Sequence, residues 1–132
     1  MALYELPEKA EIIFTGRLSE EDLYALTASA RALAYVPYFE GFGIPIVEAM
    51  SCDVPVITSN ITAMPEVAGE AALFVDPFSE ESISSALVLL DTDEVLREKL
   101  ISSAKAQREK FSWDKTAEAL WVSMMKAIDS GR

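Results

Sequence analysis

Two carboxylates and two glycines at fixed intervals carry most of the chemistry that this sequence offers. Glu40 and Glu48 have seven residues between them in the run PYFEGFGIPIVEAMSCD, residues 37–53, and Gly41 and Gly43 fall inside that interval. Glycine lets a backbone come close to a ligand. Pro45 suits the first turn of a helix, where its missing N–H costs nothing. The amides of Gly43 and Ile44 then lie at a helix start, a place that receives phosphate. The glutamates would repel a phosphate, but a carboxylate is a good acceptor for sugar or ribose hydroxyls. Amides for phosphate and carboxylates for hydroxyls together fit a nucleotide sugar. The same residues also fit blander roles, with Glu48 on a solvated helix face and the glycines in an ordinary turn.

The elements that must hold this loop alternate between strand and helix. Short apolar runs at residues 11–15 (EIIFT), 32–36 (ALAYV), 54–58 (VPVIT) and 72–75 (ALFV) read as four strands. Ser19, followed by Glu20, Glu21 and Asp22, reads as an N-cap with acids at the positive end of a helix, with Leu23, Leu26, Ala30 and Leu33 as its apolar face. Ser79 reads as a second cap, with Ile83, Leu87 and Leu90 on one side of its helix. Residues 94–110 and 113–127 read as two further helices, the last capped by Ser112. Buried strands separated by helices imply an α/β fold with a Rossmann-like parallel sheet of about four strands and helices on both faces. In such sheets ligands bind beyond the C-terminal ends of the strands, where the loop at residues 37–43 sits. A doubly wound domain usually has more strands, so an uncovered sheet edge is expected. The expectation follows that the chain self-associates or lays its C-terminal helices over the gap.

Composition narrows the partners. The chain has 132 residues, 11 Lys plus Arg, 22 Asp plus Glu and a net charge of −11. Such an acidic chain repels nucleic acid and anionic membranes. No histidine is present, which excludes a His-based acid/base pair or metal site within these residues. The single cysteine, Cys52, excludes an internal disulfide and reads as a buried structural thiol. No apolar run approaches the length of a transmembrane helix, and no signal peptide is expected. Asp91, Thr92 and Asp93 superficially match a D-x-D metal motif, but they fall between two helices where such residues are ordinary caps. Trp113 and Trp121 are spaced for helix packing, and Glu66 reads as structural.

The run FEGFGIPIVEAMSCDVPVITSNITAMPEVAGEAALFVDP, residues 39–77, resembles the signature of GT-B glycosyltransferases of the retaining family 4 type. The resemblance rests on the E-x7-E pair Glu40 and Glu48, the EAM.C..PV segment and the SN…PEV.G.AA segment. It continues through Asp76-Pro77 to the FSW at residues 111–113, and spans residues 10–128. In that family two Rossmann-like domains face each other across a cleft, and the C-terminal one holds the nucleotide-sugar donor. The resemblance implies that residues 1–132 are part of that C-terminal domain, with a core at about 10–90 and C-terminal helices at about 93–128.

The resemblance also implies roles. Glu48 would hold the ribose hydroxyls. Glu40 would stand by the sugar ring as the catalytic carboxylate. The amides of Gly41, Phe42, Gly43 and Ile44 would take the sugar and diphosphate region, and the turn Gly16, Arg17, Leu18 would pass the nucleobase. The parent reaction would move a hexosyl group, such as mannose or glucose, from a nucleotide-diphosphate sugar to an acceptor hydroxyl, with no metal or other cofactor. Asp53 departs from the pattern, which commonly has glycine there as a helix C-cap. The family's early Arg and Lys, which neutralise the leaving diphosphate, have no matching residues here, and the N-terminal acceptor domain has no counterpart. The expectation is a chain truncated at its N-terminal side, inactive alone, from a cytoplasmic enzyme that can lie peripheral to a membrane. The alternative is a stand-alone binding or interaction module with a glycosyltransferase-like fold. Which nucleotide, sugar and acceptor are used lies beyond the residues.

Overall fold

The computed structural model describes residues 12–131. Three strands form one parallel sheet in the order β1-β2-β3, with β1 at Leu33–Tyr35, β2 at Val56–Ser59 and β3 at Ala72–Val75. Leu33, Ala34 and Tyr35 register on Val56, Ile57 and Thr58, and Val56 to Ser59 register in turn on Ala72 to Val75. All four residues of β2 are buried, as expected of a central parallel strand covered on both faces. It starts two residues later than the apolar run suggests. Pro55 has no N–H to give a ladder, and its carbonyl instead accepts from Leu33 N at 2.9 Å.

The helices are α1 (Glu20–Ser29), α2 (Ile44–Ser51), α3 (Met64–Ala68), α4 (Glu80–Thr92), α5 (Glu94–Arg108) and α6 (Trp113–Asp129). Caps set their starts: Ser19, Ser79, Asp93 and Ser112 each accept a backbone N–H three residues on. Neighbouring residues of β2 face opposite layers, as the pleat requires. Val56 joins a core with Ile46, Met50, Met64 and Ala104, on the side of α2 and α3. Ile57 joins a second core with Val75, Ala86, Leu90 and Leu100, on the side of α4. Helix α5 supplies both cores, with Leu100 to one and Ala104 to the other.

Three sequence expectations change. Residue 11 lies outside the described residues, and Ile12, Ile13, Phe14 and Thr15 are not in a strand. A strand needs a paired neighbour and a buried face; Phe14 is 92% exposed, and the sheet holds three strands among the described residues. Helix α1 ends at Ser29 because Ala30 turns extended at φ −74°, ψ 145°, so Leu33 belongs to β1 and the helix has no buried residue. Trp113 and Trp121 are 84% and 62% exposed, and no residue of α6 is buried. The apolar stripe of α6 therefore meets no core among the described residues. No helix of the described residues is long and apolar enough to cross a membrane.

Candidate functional site

The chain leaves β1 at Tyr35 and enters α2 at Ile44, and the intervening loop lies beyond the C-terminal end of the strand. Gly43 is the N-cap of α2 in the left-handed region at φ 87°, with no side-chain cap, and Pro45 occupies the first turn. Gly43 is buried. A Cβ there would stand 2.9 Å from Cε and 3.2 Å from Sδ of Met64, itself fully buried. Only glycine meets both demands, a positive φ and no side chain.

Glu40 is half-buried. Tyr35 Oη donates to its Oε2 at 2.8 Å, Gly41 N donates to Oε1 at 2.9 Å, and Phe42 N reaches the same oxygen at 3.5 Å. The Tyr35 hydroxyl, then the two amides, hold the carboxyl below its ordinary range. The same bond pushes the Tyr35 hydroxyl up. Two of the four amides predicted to meet a ligand thus already carry an oxyanion, the chain's own. Among the described residues no hydrogen bond engages the N–H of Gly43 or Ile44.

Glu48 lies on the second turn of α2 and is exposed. It lines a groove of about 80 Å³ between α1 and α2 with Glu20, Leu23, Tyr24, Thr27 and Cys52. Glu40 is not among the residues of that groove, and no hydrogen bond joins it to Glu48 among the described residues. Gly16 takes a positive φ of 66°, with a bend at Arg17. Arg17 is exposed and Leu18 half-buried just before α1, whose first turn shares the groove with Glu48. Cys52 is half-buried as the C-cap of α2, not fully buried, because it sits at the groove wall.

Neighbouring contacts steady the loop. The Phe42 ring meets Phe111 edge-on, with centroids 5.4 Å apart, and Tyr38 stacks on Phe78 at 5.0 Å. Beneath, β2 ends in Thr58 and Ser59, whose buried hydroxyls find no partner among the described residues. At the far end of α2, Asp53 takes the left-handed conformation at φ 56° where glycine is commoner. Arg108 Nη1 donates to Asp53 Oδ1 at 2.9 Å and to the Met50 carbonyl at 2.8 Å. A cation there satisfies the helix's last carbonyls and opposes its dipole. Asp91 pairs with Arg31 at 2.7 Å, and Asp93 caps α5 through Leu96 N at 2.9 Å. Glu66 lies in the first turn of α3, with its side chain exposed.

Tyr35 is the residue that the sequence reading passed over. A tyrosine closing a short strand, five residues before the first glutamate, was the available signal. Arg108 had none, since it meets Asp53, just past α2, from 55 residues downstream.

The family described as Glycosyl transferases group 1 matches residues 3–107. The chain belongs to that family. Among related glycosyl transferases, it is 41% identical over 116 residues to the O-antigen chain mannosyltransferase B of Escherichia coli, covering 85% of this chain and 30% of that protein. It is 36% identical over 124 residues to the MMP alpha-(1->4)-mannosyltransferase of Mycolicibacterium hassiacum, covering 90% and 30%. The sucrose-phosphate synthase of Thermosynechococcus elongatus superposes with a TM-score of 0.76 at 23% identity, over 89% of this chain and 30% of that one. This group 1 family member thus has the GT-B type of α/β fold and mannosyltransferase relatives, and spans under a third of their length.

Proposed function

We propose that this group 1 glycosyl transferase domain is the donor-binding part of a retaining, family 4 type hexosyltransferase, truncated at its N-terminal side and inactive by itself. The observation that carries the reading is the Glu40 carboxylate seated on the amides of Gly41 and Phe42 at the end of β1. A loop that holds an oxyanion there is built to hold another. Gly41, Phe42, Gly43 and Ile44 would take the diphosphate and sugar region, Glu48 the ribose hydroxyls, and Gly16, Arg17 and Leu18 the base. Glu40 would stand at the sugar ring as the catalytic carboxylate. The donor is a nucleotide-diphosphate sugar and the reaction needs no metal, the leaving diphosphate being met by amides and by cations outside this chain. Mannose is the favoured hexose, because relatives are named mannosyltransferases, and the parent enzyme works in the cytoplasm or at a membrane surface.

Helix-start amides contribute about 0.3–2 kcal/mol to anion binding, against a chain of net charge −11. Calorimetry and amide NMR with UDP-glucose, GDP-mannose and ADP-glucose should therefore show weak binding confined to the loop, and no turnover. Micromolar affinity, or turnover by the purified chain, would overturn the half-site reading. A charged hydrogen bond is worth about 1.5–3 kcal/mol, so Glu48→Ala in the full-length parent should weaken donor binding roughly ten- to a hundred-fold. Unchanged affinity would return Glu48 to the solvated surface.

One observation favours the second reading, a non-catalytic interaction module. Helix α6 exposes Trp113, Leu120, Trp121, Met124 and Ile128 together, and apolar surface of this kind marks association. Sedimentation over a wide concentration range discriminates: self-association lost on removing α6 supports it, and a monomer throughout counts against it.

A further inference from the structure

The Glu40 carboxylate is tied to two parts of the fold that differ in rigidity. Oε2 is held by Tyr35, the last residue of β1, whose Cα registers on the fully buried Thr58 of the central strand. Oε1 is held by the amides of Gly41 and Phe42, both exposed in the loop. One oxygen thus belongs to the scaffold and the other to the surface at which a ligand arrives. An anion that takes those amides must displace Oε1, and like charges would then drive an untethered carboxylate away. The bond from Tyr35 goes to the other oxygen, so that exchange does not require it to break.

We infer that Tyr35 is a positioning residue, holding Glu40 by one oxygen as a pivot while the other yields the Gly41 and Phe42 amides to an anionic donor. This rests on the donor-site reading above. The freed oxygen is then an acceptor without a donor, open to hydroxyls that accompany the anion. Among the described residues Tyr35 is the only titratable side chain bonded to Glu40. The tyrosine keeps its proton throughout, since the neighbouring carboxylate raises its hydroxyl.

The test is a pH titration of the whole chain by carbon-detected NMR, following Glu40 Cδ, Tyr35 Cζ and the Gly41 amide. The expected result is one common midpoint for all three, below the ordinary carboxylate range, with an upward shift of the Glu40 midpoint in Tyr35→Phe. A Tyr35 Cζ that ignores the Glu40 midpoint in the unaltered chain overturns the inference, and this readout needs no variant to fold. GDP-mannose is then added near neutral pH. The Gly41 and Phe42 amides should shift while Tyr35 Cζ stays at its value for a carboxylate-bonded hydroxyl. Movement of Tyr35 Cζ to its acid-limit value shows that the tether breaks, and overturns the pivot while leaving the donor site intact. Silence of both amides overturns the donor-site reading and with it the pivot, although the common midpoint still records the bond itself.

Discussion

A carboxylate held by donors is also a statement about acid stability. Glu40 is held below the ordinary 4.5 by Tyr35 first and then by the Gly41 and Phe42 amides. Glu94 is held below it by Arg31 first; Arg31 bonds Glu94 and Asp91 at 2.7 Å each. Both folded-state values lie under the unfolded one. Their contribution is therefore present above the unfolded value and is lost as pH falls through the folded values. Urea midpoints should be flat from neutral pH down to the ordinary carboxylate range and decline below it. Tyr35→Phe should shrink the share of that decline that belongs to Glu40. A midpoint that rises on acidification would contradict the assignment of these bonds. Glu94 is exposed and Glu40 only half-buried, so screening keeps each contribution small.

Helix starts were the most legible elements, because each is written locally. Ser19, Ser79 and Ser112 were readable as caps from one residue and the acids or apolar spacing that follow. Asp53 stands where the family pattern commonly has a glycine C-cap, and it takes the left-handed conformation. Two inferences that needed a particular neighbour failed, although the parallel sheet covered on both faces held. Residues 12–15 have strand composition, yet composition supplies no paired edge, and Trp113 and Trp121 have core composition but meet no core among the described residues. The candidate site divides the same way. The loop glycines and both glutamates follow from spacing, whereas the Tyr35 bond depends on how β1 aims its last side chain. Helix α2 gives the sharpest test at this scale. Gly43→Ala forces an alanine into the left-handed region, at about 1–2 kcal/mol, and directs its Cβ at Met64. The urea midpoint should fall accordingly and the Gly41 and Phe42 amides should shift. An unchanged midpoint would mean that the α2 start relaxes to an ordinary negative φ.

At the scale of the molecule, α6 stands apart. It has a cap, Ser112, and an acid in its first turn, but no buried residue, so its removal takes little from the core. A chain ending at Ser112 should keep its urea midpoint while losing the exposed apolar stripe. A marked loss of stability would show that α6 packs against the rest in solution. Helix α5 has the opposite standing. It places Leu100 beneath one face of the sheet and Ala104 beneath the other, and Gln107 Nε2 donates to the Val67 carbonyl at 2.9 Å at the end of α3. The layers on either side of β2 are thereby stitched by one rod. Loosening of one layer should therefore carry the other with it, and amide protons of α2 on one side and α4 on the other should exchange with solvent in a single concerted opening rather than layer by layer.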